Sequence, residues 1–443
     1  MPSNTKIPAR LDQVLIAPYS ANTNMGDEQL TEAAVDVAYR LGFDRIAVLH
    51  EPTSKPYMPQ RRQVEPRNGF MKHPFSEPRT TGTDRLGAVR FVLEILALAI
   101  AWLAGPRSAQ LPAFGMKRRR AISDIRASTC VIFKGGGYCH AYGPARDIAA
   151  LIYLVHVAIL ARRLKVPYIF LPNSMGPFKG FLAKQIMRYV LSGALAIYLR
   201  ESTSREYLHA HFPNLQACVV ADMAYAIRPN PTERVERVMR DAGLTQAHAL
   251  LGITARPIRP SEVSDAEWSE ERYLESLKGV IRWGVSEGLQ PVLITHVAGP
   301  RRSEDDRQVL RKLCNVDGRT VPWINSPDLS AEELAAVYGR LTILVATRFH
   351  SAIFASASGV PSVVVAYGGF KGRGTMKDMS LDEFCVDADA VTPADLVART
   401  ERLISQRAYA ARTLAEWVRT TQDKHCAMRA EVAALLERKL RDA

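Results

Sequence analysis

The sequence is poor in features that would fix its chemistry directly. Its six cysteines, Cys130, Cys139, Cys218, Cys314, Cys385 and Cys426, stand far apart with no C-x-x-C pair. That spacing argues against a disulfide framework or a cysteine-ligated zinc site and fits a reducing compartment. Met1–Arg10 lacks the apolar core of a secretory signal, so the expected location is the cytoplasm. The strongest apolar run, Phe91–Gly105, has 15 residues and is broken by Glu94. It falls short of the ~20 residues that a membrane-spanning helix needs. The glycine runs match neither a Walker-A loop nor a G-x-G-x-x-G turn, the two common nucleotide fingerprints. No metal cluster is visible, and no cofactor is expected.

What is present is a globular composition, 47% hydrophobic and 23% charged, enough apolar surface to offset chain entropy. A length of 443 residues points to two or three domains of ~150–200 residues. The formal charge is +13, unevenly spread: Lys55–Arg126 holds 14 Lys and Arg against 5 Asp and Glu. Nucleic acid is not an expected partner, because no binding module accompanies the charge.

Apolar runs at Val14–Pro18, Arg45–His50, Thr129–Phe133, Tyr168–Leu171, Ala196–Leu199 and Cys218–Val220 alternate with helical patterns at 28–41 and 146–163. The alternation restarts at Leu250–Thr254 and continues through Pro291–Thr295, Leu341–Ala346 and Pro361–Ala366. Such βα alternation predicts parallel sheets covered on both faces. The expected fold is α/β: two doubly wound, Rossmann-like domains facing a cleft, with ligands at the carboxyl ends of the strands. The first is assigned to 1–230, with a basic and apolar insertion at 51–126. The second is assigned to 231–400, followed by helices at 401–443. Within the insertion, 51–90 reads as a long loop and Phe91–Gly105 as a buried core helix. Flanking Arg and Lys residues make an interfacial helix the alternative. Asn173–Pro177 reads as a turn and Glu304–Leu313 as a helix.

Several clusters fall where strands end. Asn24, Gly26 and Asp27 open the first helix, where a ligand site competes with plain capping. Gly135, Gly136 and Gly137 let a ligand approach the backbone. Arg200 follows the strand Ala196–Leu199, as an anion clamp or a surface partner of Glu201. Arg348 and His350 lie at a strand-to-helix switch, joining a bidentate oxyanion donor to a group that exchanges protons near neutrality. Lys371 and Arg373 sit in the glycine-rich stretch Tyr367–Gly374, expected to be a loop. His296 ends another strand.

Taken in order, Asn24-x-Gly26-Asp27, Gly135–Gly137, Gly176-Pro177-Phe178, Arg200 with Ser204, His296 with Asp305 or Asp306, Arg348-Phe349-His350, Gly359-x-Pro361, Tyr367 with Lys371, and Asp378 resemble the polysaccharide pyruvyl transferase family. The resemblance covers roughly 12–400. It implies a glycosyltransferase-B-like fold and transfer of a pyruvyl group from phosphoenolpyruvate to a sugar, forming a ketal. Phosphoenolpyruvate is then the donor substrate, with Arg200 and Arg348 as its clamps and Lys371 in support. Asn24, Gly26, Gly135, Gly136, Gly137 and His296 complete the expected binding set. His350 is the candidate acid and Asp27 a candidate for orienting or deprotonating the acceptor. The acceptor is expected to be an oligosaccharide, a glycolipid or a lipid-linked precursor, with the donor on the second domain. The basic stretch 55–126 then reads as a contact for an anionic membrane face. Two other readings stay open: a nucleotide-sugar glycosyltransferase of the same fold, and a non-catalytic scaffold of an envelope-polysaccharide assembly.

Overall fold

A computed structural model describes residues 11–20, 24–50, 63–72, 85–244, 249–259, 262–263, 268–299, 304–325 and 328–442. The first sheet contains β1 (Leu11–Ser20), β2 (Phe43–His50), β3 (Glu65–Asn68), β4 (Cys130–Phe133), β5 (Gly136–Ala141), β6 (Tyr168–Phe178), β7 (Ala196–Leu199) and β8 (Cys218–Val219). Their order is β3-β2-β1-β4-β6-β7-β8, with β5 alongside β6, and all pairs are parallel. The chain reverses its direction of winding at β1, which lies between β2 and β4. Ligand crevices open at the carboxyl ends beside such a reversal.

The second sheet uses β9 (Leu250–Thr254) and β10 (Gln290–Ile294). A small antiparallel ladder of β11 (Asn315–Val316) and β12 (Arg319–Thr320) stands apart. The sheet resumes with β13 (Trp323–Ile324), β14 (Ile343–Ala346), β15 (Ser362–Ala366) and β16 (Cys385–Asp387). Its order is β13-β10-β9-β14-β15-β16, again parallel. Every residue of β4, β14 and β15 is buried, as continuous apolar strands covered on both faces must be.

The two halves are joined at several points. The last helix, Arg407–Arg441, returns to the first half. It buries Leu414, Met428, Val432 and Leu436, worth about 1.5–3 kcal/mol each by area. Tyr198 Oη on β7 donates to Glu431 Oε2 at 2.9 Å. At the opposite side of the junction, Ser202 donates its backbone N–H to Asp378 Oδ2 at 2.8 Å. A Cβ added at Gly374 would meet Glu201 Cγ at 2.8 Å. The helix Lys371–Asp378 therefore rests directly on the chain that follows β7.

Five local expectations are corrected. Phe91–Gly105 is not a core helix: the helix runs Arg85–Ala104 and leaves Val89, Val92, Leu93, Leu96, Ile100 and Leu103 exposed. It lies on the outside of the first domain, against the helix Ala145–Arg163, which covers only one face. Part of the long loop at 51–90 is the edge strand β3, held by Arg45 to Glu65 at 3.0 Å; 51–62 and 73–84 lie outside the described residues. Asn173–Pro177 is no turn, because β6 continues to Phe178 beside β5. Of Glu304–Leu313, only Arg307–Leu310 is α-helical, with a 3₁₀ turn after it. Lys371 and Arg373 belong to a helix rather than a loop.

Candidate active site

The site is built where the carboxyl ends of both sheets meet. On the first half, β7 delivers Arg200 into a fully buried position. Its Nε donates to Ser174 Oγ at 2.7 Å and its Nη1 to Asp222 Oδ2 at 2.7 Å. Glu201 Oε2 stands 3.4 Å away. A buried guanidinium demands such partners, so Arg200 is not the surface residue that its neighbour Glu201 allowed. Its remaining nitrogen, Nη2, has no hydrogen-bond partner among the described residues. That nitrogen faces Gly137. A Cβ there would stand 2.5 Å from Nη2 and 3.6 Å from Lys371 Cδ. The glycine thus makes room for the buried Arg200 Nη2, with the aliphatic stem of Lys371 from the second half beside it.

Burial pushes the Glu201 carboxyl up, against the pull of Arg200. Asp222 differs: burial raises it too, but Arg200, His350 and the Ala224 N–H outweigh that and hold it below the usual carboxylate range.

On the second half, Arg348 caps the helix Phe349–Ala357 directly after β14. Its Nε donates to Asp306 Oδ1 at 2.7 Å, and its Nη2 to the Glu304 carbonyl. Asp306 also accepts the backbone N–H groups of His296, at 3.1 Å, and Val297, at 2.8 Å. Of the two aspartates that the sequence offered as partners of His296, Asp306 is the one that ties it to Arg348. Asp305 pairs with Arg307 instead. His296 is buried, its Nδ1 3.1 Å from Tyr338 Oη, and burial drives its pKa well below the ordinary imidazole value.

His350 meets the first half twice. Its ring lies so close to Gly26 that an added Cβ would stand 2.4 Å from Cγ. Its Nε2 is 3.8 Å from Asp222 Oδ2, beyond hydrogen-bond reach. Burial lowers its pKa to about 4; Asp222 opposes this, while Arg200 and Lys371 add to it. The imidazole is neutral at pH 7 in the free site. Asn24 caps the first helix by accepting from the Asp27 N–H at 3.2 Å and bridges to Val297 across the cleft. Asp27 Oδ1 lies 2.7 Å from Lys134 Nζ. Gly135 has a packing reason for lacking a side chain, since a Cβ would press on the Pro172 carbonyl at 2.7 Å. Gly136 adopts φ +148, a conformation open to glycine.

Around Tyr367 and Lys371 stand Arg256 and Glu262, which the sequence reading left out of the site. Lys371 Nζ donates to Tyr367 Oη at 3.1 Å. Arg256 Cζ lies 4.1 Å from the centre of the tyrosine ring and pairs with Glu262 at 3.1 Å. Burial would raise the phenol, but Arg256, Lys371 and Arg348 together bring its pKa down to about 7. Lys371 is itself lowered, chiefly by burial. Arg256 and Asp222 were findable by the rule that found Arg200, since each lies within three residues of the end of a strand, β9 and β8 respectively. Among the described residues no three His, Cys, Asp or Glu side chains could share a metal ion.

Beside Tyr367 opens a cavity of about 700 Å³, lined by Tyr142, Pro177, Lys179, Glu262 and Phe370 among others. Arg373 pairs with Asp387 on its wall at 2.6 Å.

This ordered set of residues, from Asn24 to the turn after β15, coincides with the pattern of a known family: the polysaccharide pyruvyl transferase description matches residues 24–369. The chain belongs to the polysaccharide pyruvyl transferase family. Within the family pattern lie Arg200, Gly137, Arg348 and His350, while Lys371 follows two residues beyond it. A curated relative, the amylovoran biosynthesis protein AmsJ of Erwinia amylovora, is 23% identical over 388 residues, covering 86% of this chain and 89% of its own. Among solved structures, sucrose-phosphate synthase from Thermosynechococcus elongatus superposes with a TM-score of 0.59 at 11% identity, covering 98% of this chain and 100% of that one. The UDP co-structure of MnaA from S. aureus gives 0.51 at 9% identity, covering 91% and 90%. At such identities the likeness speaks for the fold alone, which is glycosyltransferase-B-like.

Proposed function

We propose that the protein transfers the pyruvyl group of phosphoenolpyruvate to two hydroxyls of one sugar, closing a ketal on a precursor of a surface polysaccharide or glycolipid. The observation that carries this reading is the buried, unpartnered Arg200 Nη2 at Gly137, with the stem of Lys371 reaching the same glycine from the other half. Arg200 keeps one donor unspent, and the hydrogen-bond partner of Lys371 is a phenol rather than a carboxylate. A donor bearing both a carboxylate and a phosphate answers that surplus of cationic donors.

In this reading Arg200 and Lys371 hold one anionic group, and Arg348 with Arg256 supply field for the other. The reaction adds a proton to the methylene carbon, converting it to a methyl group and leaving positive charge at the adjacent carbon. One sugar hydroxyl bonds to that carbon, the phosphate departs with its bridging oxygen, and a second hydroxyl closes the ring. One hydroxyl proton balances the proton given to carbon, and the other leaves with the phosphate. His350 is the candidate acid. Its depressed pKa in the free site means that it acquires its proton only when donor anions offset Arg200 and Lys371. Asp27, beside Lys134, is the candidate for orienting a hydroxyl. The aromatic-lined cavity next to Tyr367 suits a sugar acceptor. Phosphoenolpyruvate is a cytoplasmic metabolite, so a cytoplasmic location belongs to the same reading.

The test incubates purified protein with phosphoenolpyruvate and a panel of free, nucleotide-linked and lipid-linked sugars, following phosphate release and the ketal methyl signal by NMR. Stabilisation by phosphoenolpyruvate in a thermal-shift assay, with no response to nucleoside diphosphates, is the expected companion result. Stabilisation by a nucleoside diphosphate, without ketal on any acceptor, would reject the proposal.

A further inference from the structure

The helix Arg85–Ala104 is apolar on both faces. Its inner face buries Ala97, Leu98 and Ala101. Its outer face presents Val89, Val92, Leu93, Leu96, Ile100 and Leu103, with Leu103 69% exposed. These positions follow a spacing of three and four residues and so form one continuous stripe. A monomeric protein in water rarely carries such a patch without a use for it.

By composition the 22-residue stretch Val89–Gln110, in which 18 consecutive residues reach a mean hydropathy of 1.8, is apolar enough to cross a bilayer. The contacts of its inner face say otherwise. Buried Glu94 pairs with Arg118 at 2.7 Å. Trp102 Nε1 donates to Tyr189 Oη at 2.9 Å, and Arg163 Nε donates to the Trp102 carbonyl at 2.7 Å. A helix held this way lies along the protein with one side free. The neighbouring helix Phe181–Leu191, joined through Tyr189, adds exposed Phe181 and Leu182.

The charges beside the stripe identify its partner. Arg90, Arg107, Lys117, Arg119, Arg120 and Arg126 are exposed. The two acids between Val89 and Arg126 are both engaged, Glu94 with Arg118 and Asp124 with Arg67. A second copy of this chain would bring the same cations against these. An apolar stripe bordered by cations, with Trp and Tyr at one end, is the profile of a surface that lies in the headgroup layer of a membrane.

We infer that this face docks the protein onto an anionic lipid bilayer, with the exposed stripe of Arg85–Ala104 inserted at the interface and the surrounding Arg and Lys residues held by lipid phosphates. The inference stands on this surface alone and does not depend on the reaction proposed above.

The experiment uses the full chain and vesicles of phosphatidylglycerol with phosphatidylcholine, against phosphatidylcholine alone. Flotation is measured across a salt series. Wild type is expected to float with the anionic vesicles and to be released by salt. The variant Lys117→Glu/Arg119→Glu/Arg120→Glu should lose at least on the order of 100-fold in partitioning. The variant Leu93→Ser/Leu96→Ser/Ile100→Ser/Leu103→Ser should bind weakly and release at much lower salt, with its melting temperature retained because these side chains already face water. Three results would overturn the inference: no flotation of wild type, unchanged flotation of both variants, or a wild-type dimer by sedimentation that the serine variant dissolves while vesicles capture neither.

Discussion

Replacing Tyr367 by Phe tests the electrostatics of the cleft through a single oxygen. In the free site the phenol, at a pKa of about 7, serves as counter-ion to Arg256, Lys371 and Arg348. An anionic donor competes for the same cations, so it binds to the protonated phenol. Above pH 7 the phenolate must first take up a proton, which costs about 1.4 kcal/mol per pH unit. At pH 9 this weakens the donor by roughly 50-fold relative to pH 7, where half of the phenol is already ionised. A phosphate ester, with its second ionisation near pH 6, stays fully charged over that range and adds no slope. Burial lowers the Lys371 pKa and Tyr367 holds it up, so the Phe variant removes the contribution of the phenol while moving that of the lysine to lower pH. Tyr367→Phe should match wild type at pH 6 and bind phosphoenolpyruvate far more tightly than wild type at pH 9. Isothermal titration in buffers of different ionisation heat should show proton uptake at pH 8 in wild type and less in the variant. Tyrosinate absorbance at pH 8 should fall as the donor is added. Identical pH slopes for the two proteins would refute the reasoning.

Gly137→Ala puts a methyl group 2.5 Å from Arg200 Nη2; fluorescence titration should show donor affinity falling by about 10- to 100-fold, the range for a lost charged hydrogen bond. Gly26→Ala displaces the His350 ring, and steady-state assays should show turnover falling more than donor affinity. Arg348→Ala leaves Asp306 buried without its partner, and urea denaturation should show a loss of about 3–5 kcal/mol; undiminished donor affinity in that variant would remove Arg348 from the clamp. Leu436→Ala, in the last helix, should cost about 2–5 kcal/mol by the same measurement.

The sheets were readable because parallel strands buried on both faces must be short apolar runs, as Leu341–Ala346 and Tyr168–Leu171 are. Arg200, Arg348 and His350 were readable because strand ends mark the crevice. The role of Tyr367 was not, since a phenol draws its ionisation from cations that arrive from β9, β14 and the helix after β15. Nor was the exposure of Phe91–Gly105: periodicity cannot separate a buried helix from one bordered by water when both faces are apolar. The Asn173–Pro177 segment looked like a turn because Pro and Gly usually interrupt strands, yet its neighbour β5 carries the pairing onward to Phe178.

The contact of Asp378 with Ser202 has a metrical consequence. Lys371 rides on a helix whose far end is fastened to the segment bearing Arg200. The span between the two cations is therefore set like a caliper, by about two turns of helix, rather than by how widely the two sheets stand apart. A loosening of the halves elsewhere would leave that gauge unchanged, whereas Asp378→Ala, which removes both bonds to Ser202, would release it without touching either cation.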